Sequence, residues 1–461
     1  MHYEEDCIGR LAVPDDVLYG VHTLRALDNF PIGPQIVHPA LIQALIMIKQ
    51  AAAGVNQAAG TLSAPIAQAI DQACWQLRQH AHPEAFPIAA IQGGAGTSTN
   101  MNVNEVIAKL ATQLSGVTIH PNDHVNQSQS TNDVYPTAGK MALLQLLPAL
   151  LAAVAQLTQT LRQKAAATQT VLKVGRTQLQ DAVPTTWGHS FNAYASMFTR
   201  DLHRLRQAAG GLKSVNLGAT AIGTGVNASD YYRHHIVAAV SACANLPLQP
   251  AADLFDATQD VDVLVTFSAA LKALAVNLNK FCNDLRLLGS GPQAGFNELR
   301  LPARQAGSSI MPGKVNPVIP EAVNQVCFAV IGQDVTVTMA AEAGQLELNA
   351  FEPVIFASLF TSMTQLTQAV GMLSTKCVAG LQVNAGACRA QVEHSAIAAT
   401  VLVPYLGYER TMRLIKTALA TDQAVPDLLA KQQLLPPATI AQIFSPASLT
   451  GQAPAAAAVN Q

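Results

Sequence analysis

Four short stretches of this chain gather hydroxyl, amide and amine groups at spacings suited to holding a small anion. In Gly94-Ala95-Gly96-Thr97-Ser98-Thr99 the text superficially looks like a nucleotide loop, but the third glycine is missing and no Gly-Lys-Ser/Thr follows. Hydroxyls beside exposed backbone N–H groups instead suit a small carboxylate, with a tight turn as the plainer account. Ser128-Gln129-Ser130-Thr131-Asn132-Asp133 is a second cluster, for which a loop ending in a helix cap is the simpler account. Val174-Gly175-Arg176-Thr177-Gln178-Leu179-Gln180-Asp181 is a third and adds a guanidinium. Taken singly, these three decide nothing.

The fourth, Gly307-Ser308-Ser309-Ile310-Met311-Pro312-Gly313-Lys314-Val315-Asn316-Pro317, differs in kind. Its glycines and prolines make a jointed loop, yet it also carries two serines, an amide and a lysine that no turn requires. A mobile catalytic lid and an ordinary flexible loop both fit it.

These loops need rigid elements to position them, and the remaining text supplies helices. The region 1–135 is mixed, punctuated by Pro14, Pro31, Pro39 and Pro65, and reads as an irregular but mostly helical first domain. The region 136–388 carries long helical runs, including Ser268 to Arg286 and Pro320 to Gly344. From 389 to 461 come shorter helical pieces between Val403-Pro404-Tyr405, Pro426 and Pro436-Pro437, with an alanine-rich tail expected to fray. Met141 to Thr160 has no charge and is long enough to raise the question of a membrane span. Pro148 and the glutamines argue against a span. Leu143, Leu144, Leu147, Leu150, Leu151, Val154, Leu157 and Leu161 recur at three- and four-residue spacing, as on a helix buried in a bundle.

Only 12% of residues are charged and half are apolar, a composition for helices packed on helices. With 27 basic and 29 acidic residues there is no basic footprint for nucleic acid. Scarce charge also suggests that sister subunits cover part of the apolar surface, so a homo-oligomer is expected. The seven cysteines are scattered and contain no Cys-x-x-Cys, so reduced thiols are the default. Met1-His2-Tyr3-Glu4-Glu5-Asp6 lacks the basic and apolar regions of a secretory signal, which reads as cytoplasmic.

Gly307 to Pro317 resembles the shared signature of the aspartase/fumarase superfamily. Gly-Thr-Ser-Thr-Asn-Met-Asn, Ser-Gln-Ser-Thr-Asn-Asp and Gly-Arg-Thr-Gln match its other active-site segments in order, and the similarity runs from about Tyr3 to Thr450. The resemblance implies a mainly α, three-domain fold whose long central helices form a twenty-helix core in a homotetramer, with each active site shared between three subunits. Tyr19-Gly20-Val21-His22-Thr23-Leu24-Arg25, Pro121-Asn122-Asp123-His124-Val125-Asn126 and Ser130-Thr131-Asn132 look like the aspartase branch more than class II fumarases. Gln178 is the sharpest divider, because fumarases are expected to carry histidine there.

The implied reaction is reversible elimination of ammonia from L-aspartate to give fumarate, through a dianionic aci-carboxylate that must be stabilised as it forms. By resemblance, Ser308 is the general base, and Thr97, Ser130, Thr131 and Ser309 hydrogen-bond the side-chain carboxylate. Thr177, Lys314 and Asn316 hold the other carboxylate, while Asn132 faces the amino group with Thr97 and Gln178. A serine can serve as base only if loop N–H groups and Lys314 stabilise its oxyanion strongly. Glu321, beyond the loop, is read as a helix-start carboxylate.

His120 and His124 are four apart, but the intervening Pro121 spoils a helical metal pair, and they read as loop residues. No ligand set for an obligatory metal emerges. The resemblance implies no required cofactor and leaves room for magnesium as an activator. Val403-Pro404-Tyr405-Leu406-Gly407-Tyr408 departs from the family's usual Asn-Pro-His-Ile-Gly, which bears on the C-terminal domain's role. The rival readings are a class II fumarate hydratase and a catalytically silent structural homologue.

Overall fold

The computed structural model describes residues 1–80 and 82–450; the alanine-rich tail expected to fray lies outside them. Helices dominate. The chain opens with an antiparallel hairpin, β1 (His2–Asp6) and β2 (Gly9–Val13), then α1 (Val21–Asn29), α2 (Pro39–Ala58), α3 (Ala64–Gln79) and α4 (Thr97–Ser115). The long α5 (Thr131–Ala167) leads into a second hairpin, β3 (Leu172–Thr177) and β4 (Gln180–Thr186), followed by α6 (Trp187–Ala208) and α7 (Asp230–Ala244). After the short α8 (Asp256–Gln259) come three more long helices: α9 (Asp262–Leu288), α10 (Val318–Glu342) and α11 (Glu352–Leu373). The described chain ends in α12 (Ala385–His394) and smaller helical pieces up to Leu449.

Contacts group the chain into two compact units, one of residues 1–152, 201–275 and 327–367, the other of the remaining segments. In the first, α2 packs on α3 and α7, and α3 on α4. The first region is therefore more regular than its prolines suggest: Pro39 and Pro65 sit at helix starts, where a missing N–H costs nothing. Arg25 fixes the first hairpin to α1 by donating to both Asp6 oxygens at 2.7 and 2.9 Å. Buried Glu105 of α4 caps the N-terminus of α1, accepting from the N–H groups of Gly20, His22 and Thr23.

The leucine spacing in α5 is borne out at seven of its eight positions, for Leu143, Leu144, Leu147, Leu150, Val154, Leu157 and Leu161 are buried while Leu151 is half-buried. Pro148 does not interrupt the helix, which runs through both Pro136 and Pro148. By length and composition alone α5 and α9 could cross a membrane, yet half of the apolar window of α5 is buried within the protein. The helix α10 leaves Phe328, Val335 and Met339 more than half exposed along one side. In the second unit, Leu402, Leu414, Val425, Leu428, Leu429 and Ile443 form a small apolar cluster. Tyr405 and Leu406, from the segment that departs from the family pattern, pack against it.

No disulfide is formed by the seven cysteines. Cys7 is exposed on the turn between β1 and β2, Cys243 is half-buried, and the other five are buried. Burial pushes the thiols of Cys327 and Cys377 up to about 12 and that of Cys388 to about 11.

Gly96 shows why the first polar cluster needs glycine. Its φ is +89°, and a Cβ there would lie 2.5 Å from the Tyr135 ring. Gly96→Ala is expected to lower stability by roughly 2–5 kcal/mol, the strain and overpacking contributions together. Denaturant unfolding of that variant beside Ser98→Ala tests this, and equal midpoints would contradict it.

Candidate active site

In the first unit, the start of α4 and the start of α5 bring two of the four clusters together. Thr97 opens α4, and its backbone N–H is received by the Gly94 carbonyl at 2.9 Å. One turn on, Asn100 Nδ2 donates to Thr131 Oγ1 at 3.1 Å, linking the two helix starts. Ser130 Oγ accepts from the Asn132 N–H at 3.3 Å, and Asp133 Oδ1 accepts from the Ser130 N–H at 3.0 Å. The Asn132 side chain donates to the Ala221 carbonyl at 2.8 Å, while Asn216 donates to the Asn132 carbonyl at 3.0 Å. With Nδ2 so committed, Asn132 Oδ1 is left to accept, as an ammonium group would require.

Asp133 and Lys49 lie behind these residues, fully buried. The other Asp133 oxygen accepts from the Gly218 and Thr220 N–H groups at 3.0 and 3.1 Å, tying the α5 start to the 216–221 loop. Burial raises the Asp133 carboxyl to about 6, with the backbone donors and Lys49 pulling it down. A folded-state value above the ordinary 3.8 means that the folded protein holds this proton more tightly than the unfolded chain. Its contribution to stability is therefore greatest in acid, falls as pH rises from about 3.8 to about 6, and is flat above. Activity should have the opposite sign, since protonation weakens the anchor of the 216–221 loop. The rate is expected to drop as pH falls through about 6, a limb absent from Asp133→Asn, whose rate is low throughout. A pH profile of kcat/KM for both proteins checks this, and an unchanged acid limb in the variant would refute it.

Lys49, on α2, donates to Asn126 Oδ1 and Gln129 Oε1, each at 2.8 Å. Burial lowers its ammonium to about 7. Asn126 Oδ1 also receives Nδ2 of both Asn100 and Asn104 at 3.2 Å. His120 and His124 flank and occupy a single π-helical turn, Pro121–Val125, in place of the expected loop. The His120 ring accepts the Asp123 N–H at 3.1 Å, and the His124 ring accepts the His120 N–H at 2.9 Å.

In the second unit, Thr177 and Gln178 sit at the exposed tip of the β3–β4 hairpin. Gln178 and Leu179 have φ of +54° and +63°, the signature of a two-residue type I′ turn. Arg176, one residue before the tip, is anchored inside by a buried ion pair with Glu298, which Lys173 also approaches at 3.6 Å. The Arg176 guanidinium further lies 4.5 Å from the centre of the Phe296 ring.

Residues 307–316 form a loop closed on itself. The Gly307 N–H donates to the Lys314 carbonyl at 2.8 Å, and Asn316 Nδ2 donates to the Gly307 carbonyl at 2.9 Å. A Cβ at Gly307 would lie 2.5 Å from the Lys314 oxygen, so only glycine allows that closure. Inside the loop, Ser308 Oγ accepts the N–H groups of Ile310 and Met311 at 3.2 and 3.0 Å. Two donors on one hydroxyl oxygen stabilise its alkoxide form. Ser309 and Lys314 are exposed, as are Ile310 and Met311.

The structure thus joins the Thr97 segment to Ser130, Thr131 and Asn132. Among the described residues, no hydrogen bond or ion pair joins the Thr177–Gln178 tip to the 308–316 loop. Lys49, Asn100, Asn126, Asp133 and Glu298 were not anticipated from the sequence. A lone lysine within Leu41-Ile42-Gln43-Ala44-Leu45-Ile46-Met47-Ile48-Lys49 was the available signal for the first of them. Among the described residues there is no group of three or more His, Cys, Asp or Glu able to hold a metal ion.

This helical fold with its hydroxyl-rich, carboxylate-suited segments corresponds to a known class. Residues 9–332 match the lyase family and residues 399–451 the fumarase C C-terminus, so the chain belongs to the lyase family. The aspartate ammonia-lyase of Pseudomonas aeruginosa is 50% identical over 455 residues, 97% of this chain and 96% of that protein. That of Escherichia coli K12 is 45% identical over 451 residues, 96% of this chain and 94% of that protein. A crystal structure of a fumarate lyase:delta crystallin from Brucella melitensis superposes with a TM-score of 0.94 at 46% identity, covering 98% of this chain and 100% of that one. Class II fumarase from Schistosoma mansoni gives 0.90 at 33% identity, covering 96% and 98%. The mainly α fold expected from the resemblance is the one found.

Proposed function

We propose that this chain is a carbon–nitrogen lyase that eliminates ammonia reversibly from L-aspartate to give fumarate. The observation that supports this most directly is the Ser308 hydroxyl, whose oxygen receives two loop N–H groups. An alkoxide held in this way takes a proton from the carbon beside the side-chain carboxylate, and the electron pair moves into that carboxylate as the aci form. Thr97, Ser130, Thr131 and Ser309 donate to it. The pair then returns to form the carbon–carbon double bond as the carbon–nitrogen bond breaks. Ammonia leaves with the bonding electrons, and the proton on Ser308 passes on to solvent or to the ammonia. Thr177, Lys314 and Asn316 hold the second carboxylate, while Asn132 Oδ1, with Thr97 and Gln178, receives the amino group.

The reaction needs no cofactor in this reading, and magnesium acts only as an accessory activator, so a chelator is expected to leave turnover in place. The enzyme works in the cytoplasm as a homotetramer, with each site built from three subunits. The exposed Phe328, Val335 and Met339 on α10 support subunit contacts there. Mixing unfolded Ser308→Ala and Thr131→Val chains and refolding them together should then give more activity than the average of the two variants refolded separately.

Fumarate followed by ultraviolet absorbance from L-aspartate, with ammonia assayed separately and L-malate in parallel, tests the activity. Fumarate and ammonia in equal amounts from aspartate are expected. Fumarate from malate alone would make the chain a hydratase, and no product from either would leave it a silent structural homologue.

A further inference from the structure

We propose that Lys49 is a positioning residue that, through Asn126 and Asn100, keeps the proton of the Thr131 hydroxyl free for donation to the substrate's side-chain carboxylate. The Lys49 amine donates to both neighbours, so the atoms facing it at 2.8 Å are the amide oxygens of Asn126 and Gln129. Gln129 is held the same way up by its own amide nitrogen, which donates to the Val125 and Gln127 carbonyls, each at 3.1 Å. Asn126 Oδ1 is consequently the atom that receives Asn100 Nδ2 at 3.2 Å. Turning the Asn100 amide over would set its oxygen against that of Asn126, so its NH2 group stays inward and also donates to Thr131 Oγ1 at 3.1 Å.

A threonine oxygen that accepts from a buried amide has one proton left to give. Among the described residues, nothing is recorded as receiving it. The relay thus removes the orientation in which Thr131 would spend its proton on Asn100, and keeps that proton available for a carboxylate. A donor fixed beforehand does not reorganise as charge builds on the aci-carboxylate, so its effect falls on kcat as well as on binding. Lys49 is 0% exposed and touches no substrate in this scheme; it acts only through the two asparagines.

This inference rests on the reading that Thr131 meets the substrate, and the experiment separates the two. In steady-state assays with L-aspartate, Thr131→Val should lower kcat/KM by about tenfold or more. Asn100→Asp puts an acceptor where the donor was, draws the Thr131 proton inward and should lose a similar factor. The deciding readout is the double variant, expected to be no worse than Thr131→Val alone within about a factor of two. A purely structural role for Asn100 would multiply the two losses instead, and that result overturns the relay. Thr131→Val at the wild-type rate would remove the premise and the proposal with it. If circular dichroism shows that Asn100→Asp does not fold, Asn100→Ser, small and neutral, enters the same cycle. Lys49→Met gives an independent arm: adding Thr131→Val to it should cost less than the same change costs in the wild type, and an equal cost counts against Lys49.

Discussion

Ser308→Ala is expected to lower kcat for aspartate by about 10²- to 10⁴-fold, the range that a positioned base supplies, while leaving the fold unchanged. The side chain sits on a loop that is largely exposed, and its only recorded bonds are those its oxygen accepts from Ile310 and Met311. Removing a surface hydroxyl of this kind changes stability by about 0.5 kcal/mol or less. Unfolding midpoints should therefore coincide while turnover collapses, and KM should move little because the base contributes to the transition state more than to binding. Ser309→Ala, one residue along, is expected to retain far more activity, since in the proposed site its hydroxyl would be one of several donors to the same carboxylate. Near-normal turnover in Ser308→Ala would place the base elsewhere.

The second large effect is expected at Lys314, the one formal positive charge on that loop. Lys314→Met should reduce kcat/KM by roughly 30- to 1000-fold, or about 2–4 kcal/mol, the usual result of leaving a bound carboxylate without its cation. Most of the loss should appear in KM, because the carboxylate that Lys314 is proposed to hold would not change charge during elimination. Succinate, a dicarboxylate that cannot react, should weaken as an inhibitor in parallel. Lys314→Arg is not expected to restore the rate, since a planar guanidinium fork does not replace a compact ammonium in a loop closed by Gly307 and Asn316. An unchanged KM in Lys314→Met would remove this residue from the binding set.

Local patterns were legible in the sequence. Three- and four-residue spacing of leucines marked the buried face of α5 because a helix repeats on that period. The runs from Ser268 and from Pro320 fall within the observed Asp262–Leu288 and nearly on Val318–Glu342. The glycines of the 307–313 loop were readable because no other residue allows Gly307 to approach Lys314 so closely. Long-range pairings were not legible. Lys49 meets Asn126 and Gln129 across 77 and 80 positions, and Arg176 meets Glu298 across 122. None of these three pairs leaves a periodic trace, because a side chain's partner is set by tertiary packing and not by its neighbours in the chain. Proline in the first region marks starts as well as breaks: at α2 and α3 it begins a helix, where its missing N–H costs nothing.

The distribution of thiols described above also makes the protein easy to label at one place. A maleimide or iodoacetamide reagent attacks as fast as thiolate is available and reachable, and five of the seven cysteines are buried, with Cys327, Cys377 and Cys388 also held far from ionisation at neutral pH. Cys7, on the outer turn of the first hairpin, is the one exposed thiol beside the half-buried Cys243, so a limiting amount of a dye or a solid support should attach there first.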